Sequence, residues 1–444
     1  MKKREFLKKS SLGAFGVLLA PQLLGALETG YQRRLRTAHI GVGNMGGEDL
    51  KAIASHNMVD VVALCDVDSE YLKAAAESYP DARTFSDYRI MLTEMGDGID
   101  AVIVSTPDHT HAPASLLAME LDKAVYCQKP LAHRVEEVRA MKKLAEAKNL
   151  TTQMGIQVHS FYDYKLATLL IQSGIIGKVH TVRAWSPKNW GFDGPAPEGS
   201  DAVPANLDWN LWLGTASRRP FKKNFYHPGN WRKLLDYGCG TLGDMGVHIF
   251  DTPYNALALD VPKTITNNCR PPNGFGHPER NEVTYEFPGT AYTGESLTWI
   301  WSDGPGAPDS HPDLKLPEEE PLHDQGAMFI GETGRLYLPH FEMLPRHIVD
   351  GSYVDIDVER FKLGQPVRDY ESEGRKHYHE FVDACLGKDE CSAPFSYSAR
   401  LTETILLGVI AGRFPGKTLN WDAKSARFQE EEANAFLGST YRKF

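Results

Sequence analysis

Gly41-Val42-Gly43-Asn44-Met45-Gly46 is the stretch on which the reading of this chain turns. Residues 37–42 before it form a short apolar, β-rich run, and residues 45–55 after it have the apolar spacing of a helix. A glycine turn between a strand and a helix suits a bound dinucleotide. The first glycine permits the tight turn, the second lets a pyrophosphate approach the backbone, and the third lets helix and strand pack closely. Amide groups at the helix N-terminus then face the phosphates. By itself the glycine pattern is unspecific. Here a second strand candidate, residues 59–66, ends on Asp66, twenty residues after Gly46, where a carboxylate would hold the adenosine ribose hydroxyls. Asp66 would repel a 2′-phosphate and no Arg follows it immediately, so NAD is expected rather than NADP. The competing reading of Asp66 is a turn residue at a strand end.

Working outward, the alternation of strand and helix patterns continues. Residues 101–106, 124–128 and 151–155 read as strands, and residues 114–120 and 135–148 as helices. This predicts an α/β fold with a doubly wound parallel sheet. In such sheets ligands bind beyond the carboxyl ends of the strands. Two segments fall there: Thr106-Pro107-Asp108-His109-Thr110-His111, and Gln128-Lys129-Pro130. A lysine at a strand end, pinned by Pro130, can hydrogen-bond a substrate hydroxyl. Without its neighbours it would read as a solvent-facing loop residue.

The bulk composition agrees. The chain has 444 residues, 42% hydrophobic and 24% charged, long enough for two domains. A net charge of −10 argues against nucleic acid or an anionic membrane as partner. Cys65, Cys127, Cys239, Cys269, Cys385 and Cys391 include no C-x-x-C pair, so no metal site is expected. Cys385 and Cys391 are close enough in sequence to bridge in an oxidising compartment, but buried free thiols are the expectation. Residues 1–30 have a charged start, a short apolar stretch and small residues near Gly25 and Ala26, the layout of an export signal. Lys3-Arg4-x-Phe6-Leu7-Lys8 resembles a twin-arginine signal with Lys in the first Arg position. A periplasmic protein without a membrane span is expected; an amphipathic N-terminal helix is the competing reading.

The second half changes character. Trp185, Trp190, Trp209, Trp212 and Trp231 concentrate in a loop-rich region, where indole rings either pack on the apolar faces of sugars or fill the core. Gly238-Cys239-Gly240-Thr241-Leu242-Gly243-Asp244-Met245-Gly246-Val247-His248 follows. If helical, it puts Asp244 and His248 four apart on one face. An Asp beside a His can orient the imidazole and raise its proton affinity for acid–base work. Such a pair also occurs as a purely structural contact.

The glycine turn at 41–46, Lys129-Pro130, Gln153-Met154-Gly155, the run Ser173-Gly174 to Gly177-Lys178-Val179, and Leu242-Gly243-Asp244-Met245-Gly246-x-His248 together resemble the Gfo/Idh/MocA oxidoreductases, the exported bacterial type in particular. The resemblance implies a Rossmann domain over residues 35–155. A C-terminal α/β domain with a large open antiparallel sheet, also the contact of a homo-oligomer, takes residues 156–444. Strand candidates 283–287, 297–301 and 335–338 fit that sheet. Two helices within residues 375–415 are expected to pack back on the first domain. It implies catalytic roles for Lys129, Asp244 and His248. Gly41, Gly43, Asn44, Met45, Gly46, Asp66, Thr106, Pro107, His111, Gln128 and Lys129 would hold NAD. Trp190, Trp231 and Arg232 would meet a carbohydrate beside Lys129, Asp244 and His248. The chain departs at Gln128, where the family usually has Glu, which puts contacts near the nicotinamide in question.

The reaction so implied is hydride transfer from a secondary alcohol, with His248 as base, Lys129 polarising the forming carbonyl, and Asp244 orienting His248 or a substrate hydroxyl. Export implies a cofactor that stays bound and is regenerated in place. Two alternatives stand beside it: an NAD-dependent glycosidase working by transient C3 oxidation, whose histidine-rich stretch is not evident here, and a non-catalytic sugar-binding protein on the same scaffold.

Overall fold

The structure, a computed structural model, describes residues 33–341, 344–364 and 369–444. The export-signal expectation lies outside the described residues. From Leu35 the chain lays down β1 (Leu35–Ile40), α1 (Met45–Ala54), β2 (Val59–Cys65), α2 (Ser69–Ser78), β3 (Arg83–Phe85), α3 (Tyr88–Met95) and β4 (Ala101–Val104). Then come α4 (Asp108–Glu120), β5 (Ala124–Gln128), α5 (Val135–Lys148) and β6 (Thr152–Gly155). The six strands form one parallel sheet in the order β3-β2-β1-β4-β5-β6. The order reverses between β1 and β4, and the crevice at that switch point is where the glycine turn stands. Every residue of β4 is buried, as a strand covered on both faces requires.

The sequence reading passed over α2, β3 and α3. No residue of α2 is fully buried, and its half-buried stripe of Leu72, Ala75 and Ala76 against Val42, Leu50 and Leu64 is made mostly of small side chains; Asp68 caps it by accepting from Glu70 N at 3.0 Å. β3 is a three-residue, mostly exposed edge strand. α4 begins six residues before its predicted start, because Pro113 sits inside the helix rather than near its start. The carbonyl that Pro113 leaves unpaired, that of His109, lies 3.5 Å from the Thr215 hydroxyl.

After α6 (Tyr162–Gln172) come β7 (Val179–Ser186), α7 (Trp209–Leu213), α8 (Val247–Ala256), β8 (Thr264–Asn268), β9 (Glu282–Pro288) and β10 (Thr293–Asp303). They are followed by β11 (Gly326–Gly331), β12 (Arg335–Pro339), β13 (Arg346–Val349), β14 (Ser352–Val354), α9 (Tyr370–Cys385), α10 (Phe395–Ala411), β15 (Leu419–Asp422) and β16 (Arg427–Phe428). The second sheet runs β14-β13-β12-β11-β7-β10-β9-β8-β15-β16. It is mixed rather than wholly antiparallel, because β7 and β10 pair parallel at its centre. Along β9, Val283, Tyr285 and Phe287 are buried while Thr284 and Glu286 are half-exposed, the two-residue period of a sheet with one core face. On the core face the Phe250 ring of α8 stacks on Trp299 at 4.3 Å. The other face is not open throughout: Leu314 and Leu316 cover Trp185, Met328, Tyr337 and Ile348.

The last two long helices return to the first sheet. Tyr378, Phe381 and Val382 of α9 share a core with Leu35, Ile53, Val59, Ala101, Ile103 and Tyr126. Glu403 of α10 pairs with Arg139 of α5 at 2.5 Å. All six cysteines are free, Cys385 and Cys391 included. Among the described residues no helix is long and apolar enough to cross a membrane, and no His/Cys/Asp/Glu cluster could hold a metal ion.

Candidate active site

A cavity of about 610 Å³ lies at the carboxyl ends of β1, β2, β4 and β5, walled on its other side by the second half of the chain. One end is built from the glycine turn. Gly41 has φ of 82°, and a Cβ there would stand 2.5 Å from the Ser105 carbonyl oxygen. A Cβ on Gly46 would stand 2.2 Å from the Gly41 carbonyl oxygen, so the first turn of α1 lies directly on the end of β1. The N-terminus of α1 has no side-chain cap: Asn44 instead donates from Nδ2 to Tyr71 Oη at 3.2 Å. Asp66 Oδ2 accepts from Val42 N at 2.9 Å and Oδ1 from Asp68 N at 2.9 Å, tying the end of β2 to the turn. Each oxygen keeps a second lone pair, and Asp66 lines the cavity. A bare glycine turn, an uncapped helix start and a carboxylate across the crevice fit a dinucleotide.

Asp66→Ala removes a carboxylate placed where a ribose hydroxyl could donate to it, and also the tie to Val42. NADH affinity is expected to fall about tenfold or more, on the scale of lost charged hydrogen bonds. Fluorescence titration checks this, and unchanged affinity would take Asp66 out of the site.

At the other end, Lys129 follows β5, and its Nζ donates to Asp244 Oδ1 at 2.9 Å and to the Asp244 carbonyl at 3.1 Å. The same Oδ1 pairs with Arg232 Nε at 2.9 Å, and Oδ2 accepts from Trp190 Nε1 at 2.7 Å. Burial alone would raise the Asp244 pKa, but the Lys129 and Arg232 cations outweigh it and hold this carboxyl well below the usual range. Asp244 sits in a π-helical turn, Leu242–Gly246, immediately before α8, a distortion common at functional sites. His248, in the first turn of α8, lines the cavity with Lys129 and Asp244. Burial, then the charge of Lys129, push its pKa well below the ordinary histidine value, so the ring is neutral and can accept a proton. Its ring centroid is 6.2 Å from that of His340, whose Nδ1 meets Tyr164 Oη at 2.7 Å.

The structure therefore corrects two expectations about this pair. Asp244 makes no hydrogen bond to His248, since its oxygens are taken by Lys129, Arg232 and Trp190; and the proton affinity of His248 is lowered, not raised. A third correction concerns His111. Its Nδ1 and Nε2 lie 2.8 Å from the carbonyls of Pro130 and Thr106, and the ring is buried away from the cavity. Burial opposes its charge, but Cys127, Asp108 and the Pro130 carbonyl outweigh that and push its pKa up to about 9. It braces the segments that follow β4 and β5 rather than lining the cavity. Trp190 likewise stands behind Asp244, outside the cavity lining, and its ring carries the Arg232 guanidinium at 5.5 Å.

Thr106, Pro107, Gln128, Trp231 and Arg232 line the cavity, as do Asn44 and Met45. Trp231 lies under Arg232 at 4.4 Å. Of the other tryptophans in its region, Trp185 is a core residue, while Trp212 is buried and also lines the cavity. Gln128, where this chain departs from the Glu usual in the proteins it resembles, donates from Nε2 to both oxygens of Asp49 at 3.0 Å. The sequence reading missed Tyr71, Gln157, His227 and Phe341 in the lining. They come from four separate segments, and none stands in a motif that could have announced it.

Comparison with known proteins identifies the family. The Gfo/Idh/MocA model of an oxidoreductase family with an NAD-binding Rossmann fold matches residues 35–156, and the C-terminal α/β domain of the same oxidoreductase family matches residues 162–270. The chain belongs to the Gfo/Idh/MocA oxidoreductase family. A levoglucosan dehydrogenase of Pseudarthrobacter phenanthrenivorans is 26% identical over 188 residues, 42% of this chain and 40% of that protein. A glycosyl hydrolase family 109 protein of Shewanella woodyi is 32% identical over 154 residues, 33% of this chain and 32% of that one. The matched region thus spans two fifths or less of these two relatives. Among solved structures, an inositol dehydrogenase homolog of Azotobacter vinelandii complexed with NADH and myo-inositol superposes with a TM-score of 0.61. It is 15% identical, and the match covers 88% of this chain and 98% of that one, a likeness of fold.

Proposed function

We propose that this protein moves a hydride between a secondary hydroxyl of a sugar, glycoside or polyol and a tightly held NAD. The observation that carries the proposal is the shared cavity: Lys129 and the neutral His248 face the same space as the glycine turn and Asp66. When bound, the dinucleotide supplies the hydride acceptor. The chain supplies position and charge. His248 takes the hydroxyl proton on its imidazole as the carbon loses its hydride. Lys129, held by Asp244, donates a hydrogen bond to the oxygen as it becomes a carbonyl. Arg232, over Trp231, and the ring itself provide a charged edge and an apolar face for a sugar.

The similarity to a levoglucosan dehydrogenase supports the reading. The similarity to a glycosyl hydrolase family 109 protein favours a second one, in which the same oxidation is transient and the product is a cleaved glycoside. The test is to denature the purified protein, assay the supernatant for NAD(H), and incubate the native protein with a panel of sugars and glycosides. A keto-sugar with reduced cofactor is the expected product. Free sugar plus aglycone with no net reduction would establish the second reading, and no conversion across the panel would overturn both. The same proposal takes the sheet face carrying Thr266, Thr284 and Thr298 as a contact between copies of the chain.

A further inference from the structure

Asp49, on α1, is fully buried and takes no part in the steps above. Donors from three separate elements converge on its carboxylate. Ser105 Oγ, after β4, donates to Oδ2 at 2.6 Å; Gln128 Nε2, on β5, donates to both oxygens at 3.0 Å; Tyr378 Oη, on α9, donates to Oδ1 at 2.6 Å. No Lys or Arg pairs with it among the described residues. A buried charge is costly unless donors surround it, and here they do, with the His111 cation nearby.

Ser105 itself lines the cavity, and the other two donors each lead back to it. Gln128 lines it and, with Nε2 pinned to Asp49, turns Oε1 to the backbone N–H of Lys129 at 3.2 Å. Tyr378 spends its proton on Asp49, so its oxygen is left to accept, and it accepts from Gln157 Nε2 at 2.7 Å. Gln157 lines the cavity too, with its amide oxygen as the end left for a ligand. One carboxylate thus fixes which way two cavity amides face.

We propose that Asp49 is a positioning residue of this reaction centre, locking the Gln128–Lys129 backbone through one hydrogen bond and the Gln157 amide through Tyr378. The role of Lys129 in it rests on the function proposed above. The ionised carboxylate is the working form, since only it accepts from every donor at once. Burial pushes its pKa up to about 6, against the pull of Ser105, Tyr378, Gln128 and the nearby His111. The other groups facing it are Tyr126, stacked on Tyr378 at 5.2 Å, and Tyr378 itself, both pushed well above the ordinary tyrosine value by burial. His111, pushed up to about 9, keeps its charge through the same range. Positioning is therefore expected to fail as pH falls through about 6.

An exchange of the carboxylate and the amide tests this. Asp49→Asn sets an amide N–H against donors, and Gln128→Glu puts two carboxylates in one buried site. The double variant restores one carboxylate and one amide in contact. NADH affinity by fluorescence titration, kcat and KM are measured from pH 5 to pH 8, with melting temperature in parallel. Each single variant is expected to lose about tenfold to a hundredfold in kcat, the scale of a misplaced catalytic group, and several-fold in NADH affinity. The double variant should return to within about threefold of the native protein, and the acid limb near pH 6 should be absent from Asp49→Asn. Native kcat, KM and NADH affinity in Asp49→Asn would overturn the proposal. So would an unmoved acid limb, or a folded double variant no better than the worse single one. Should Asp49→Asn not fold, the double variant decides alone. Should the native protein convert no sugar, the function proposed above fails while the NADH titrations still judge Asp49.

Discussion

His248→Ala is expected to slow reduction of bound cofactor by substrate about a hundredfold or more, the usual scale of general acid–base catalysis, with NADH affinity unchanged. The ring lines the cavity and burial with the Lys129 charge keeps it neutral, so it is ready to take a proton throughout the neutral range. Because its pKa is depressed, activity should not fall through protonation of His248 as pH drops past 6.5. Lys129→Ala should fall by a similar factor. Lys129→Arg should not restore the rate, because Asp244 already pairs with the Arg232 guanidinium and a second planar cation cannot occupy the place of a compact ammonium. Single-turnover absorbance at the nicotinamide band, with melting temperature beside it, makes the measurement. A native rate in His248→Ala removes His248 as the base. An unfolded His248→Ala at normal expression shows a structural histidine instead.

Gly46→Ala is expected to abolish NADH binding and to destabilise the protein by about 3 kcal/mol, the upper end of ordinary overpacking. The new Cβ would stand 2.2 Å from the Gly41 carbonyl oxygen and 3.3 Å from Ser105 Cβ. The first contact is with backbone at the end of β1, which cannot step aside without moving the turn. Gly98→Ala is the control: its nearest neighbour would be Met95 Cε at 3.9 Å, and it should bind NADH as the native protein does. Full NADH affinity in Gly46→Ala would show that the turn does not hold the pyrophosphate.

The legible part of the fold was the part that repeats along the chain. Buried parallel strands such as Ala101–Val104 write themselves as unbroken apolar runs, and the glycine turn is a local necessity of packing helix on strand. α2, with only a half-buried stripe of Leu72 and small alanines, left a fainter trace. The second sheet was less legible, because whether a β-rich run pairs parallel or antiparallel depends on a partner far away: β7 and β10 are more than one hundred residues apart and lie side by side.

The site divides in the same way. The sequence by itself determined the residue types at strand ends: the glycines at 41, 43 and 46, Asp66, Lys129, and the Asp244 and His248 that follow a glycine-rich run. For the glycines, Asp66 and Lys129 the position follows from a general rule, since ligands of such a sheet bind beyond the carboxyl ends of its strands; Asp244 and His248 come from the π-helical turn and α8 in the second half of the chain. Only the tertiary structure decided what each of them touches. Asp244 turned to Lys129, Arg232 and Trp190 rather than to His248, four residues away, because the π-helical turn and the short 3-10 helix Asn230–Lys233 that carries Arg232 bring those donors to it. His111 went to two backbone carbonyls, and Gln128 found its carboxylate in Asp49, 79 residues earlier. Periodicity and motif spacing report which face a residue occupies. Hydrogen-bond pairing inside a closed site is set by distances between segments remote in sequence, and those exist only once the chain has packed.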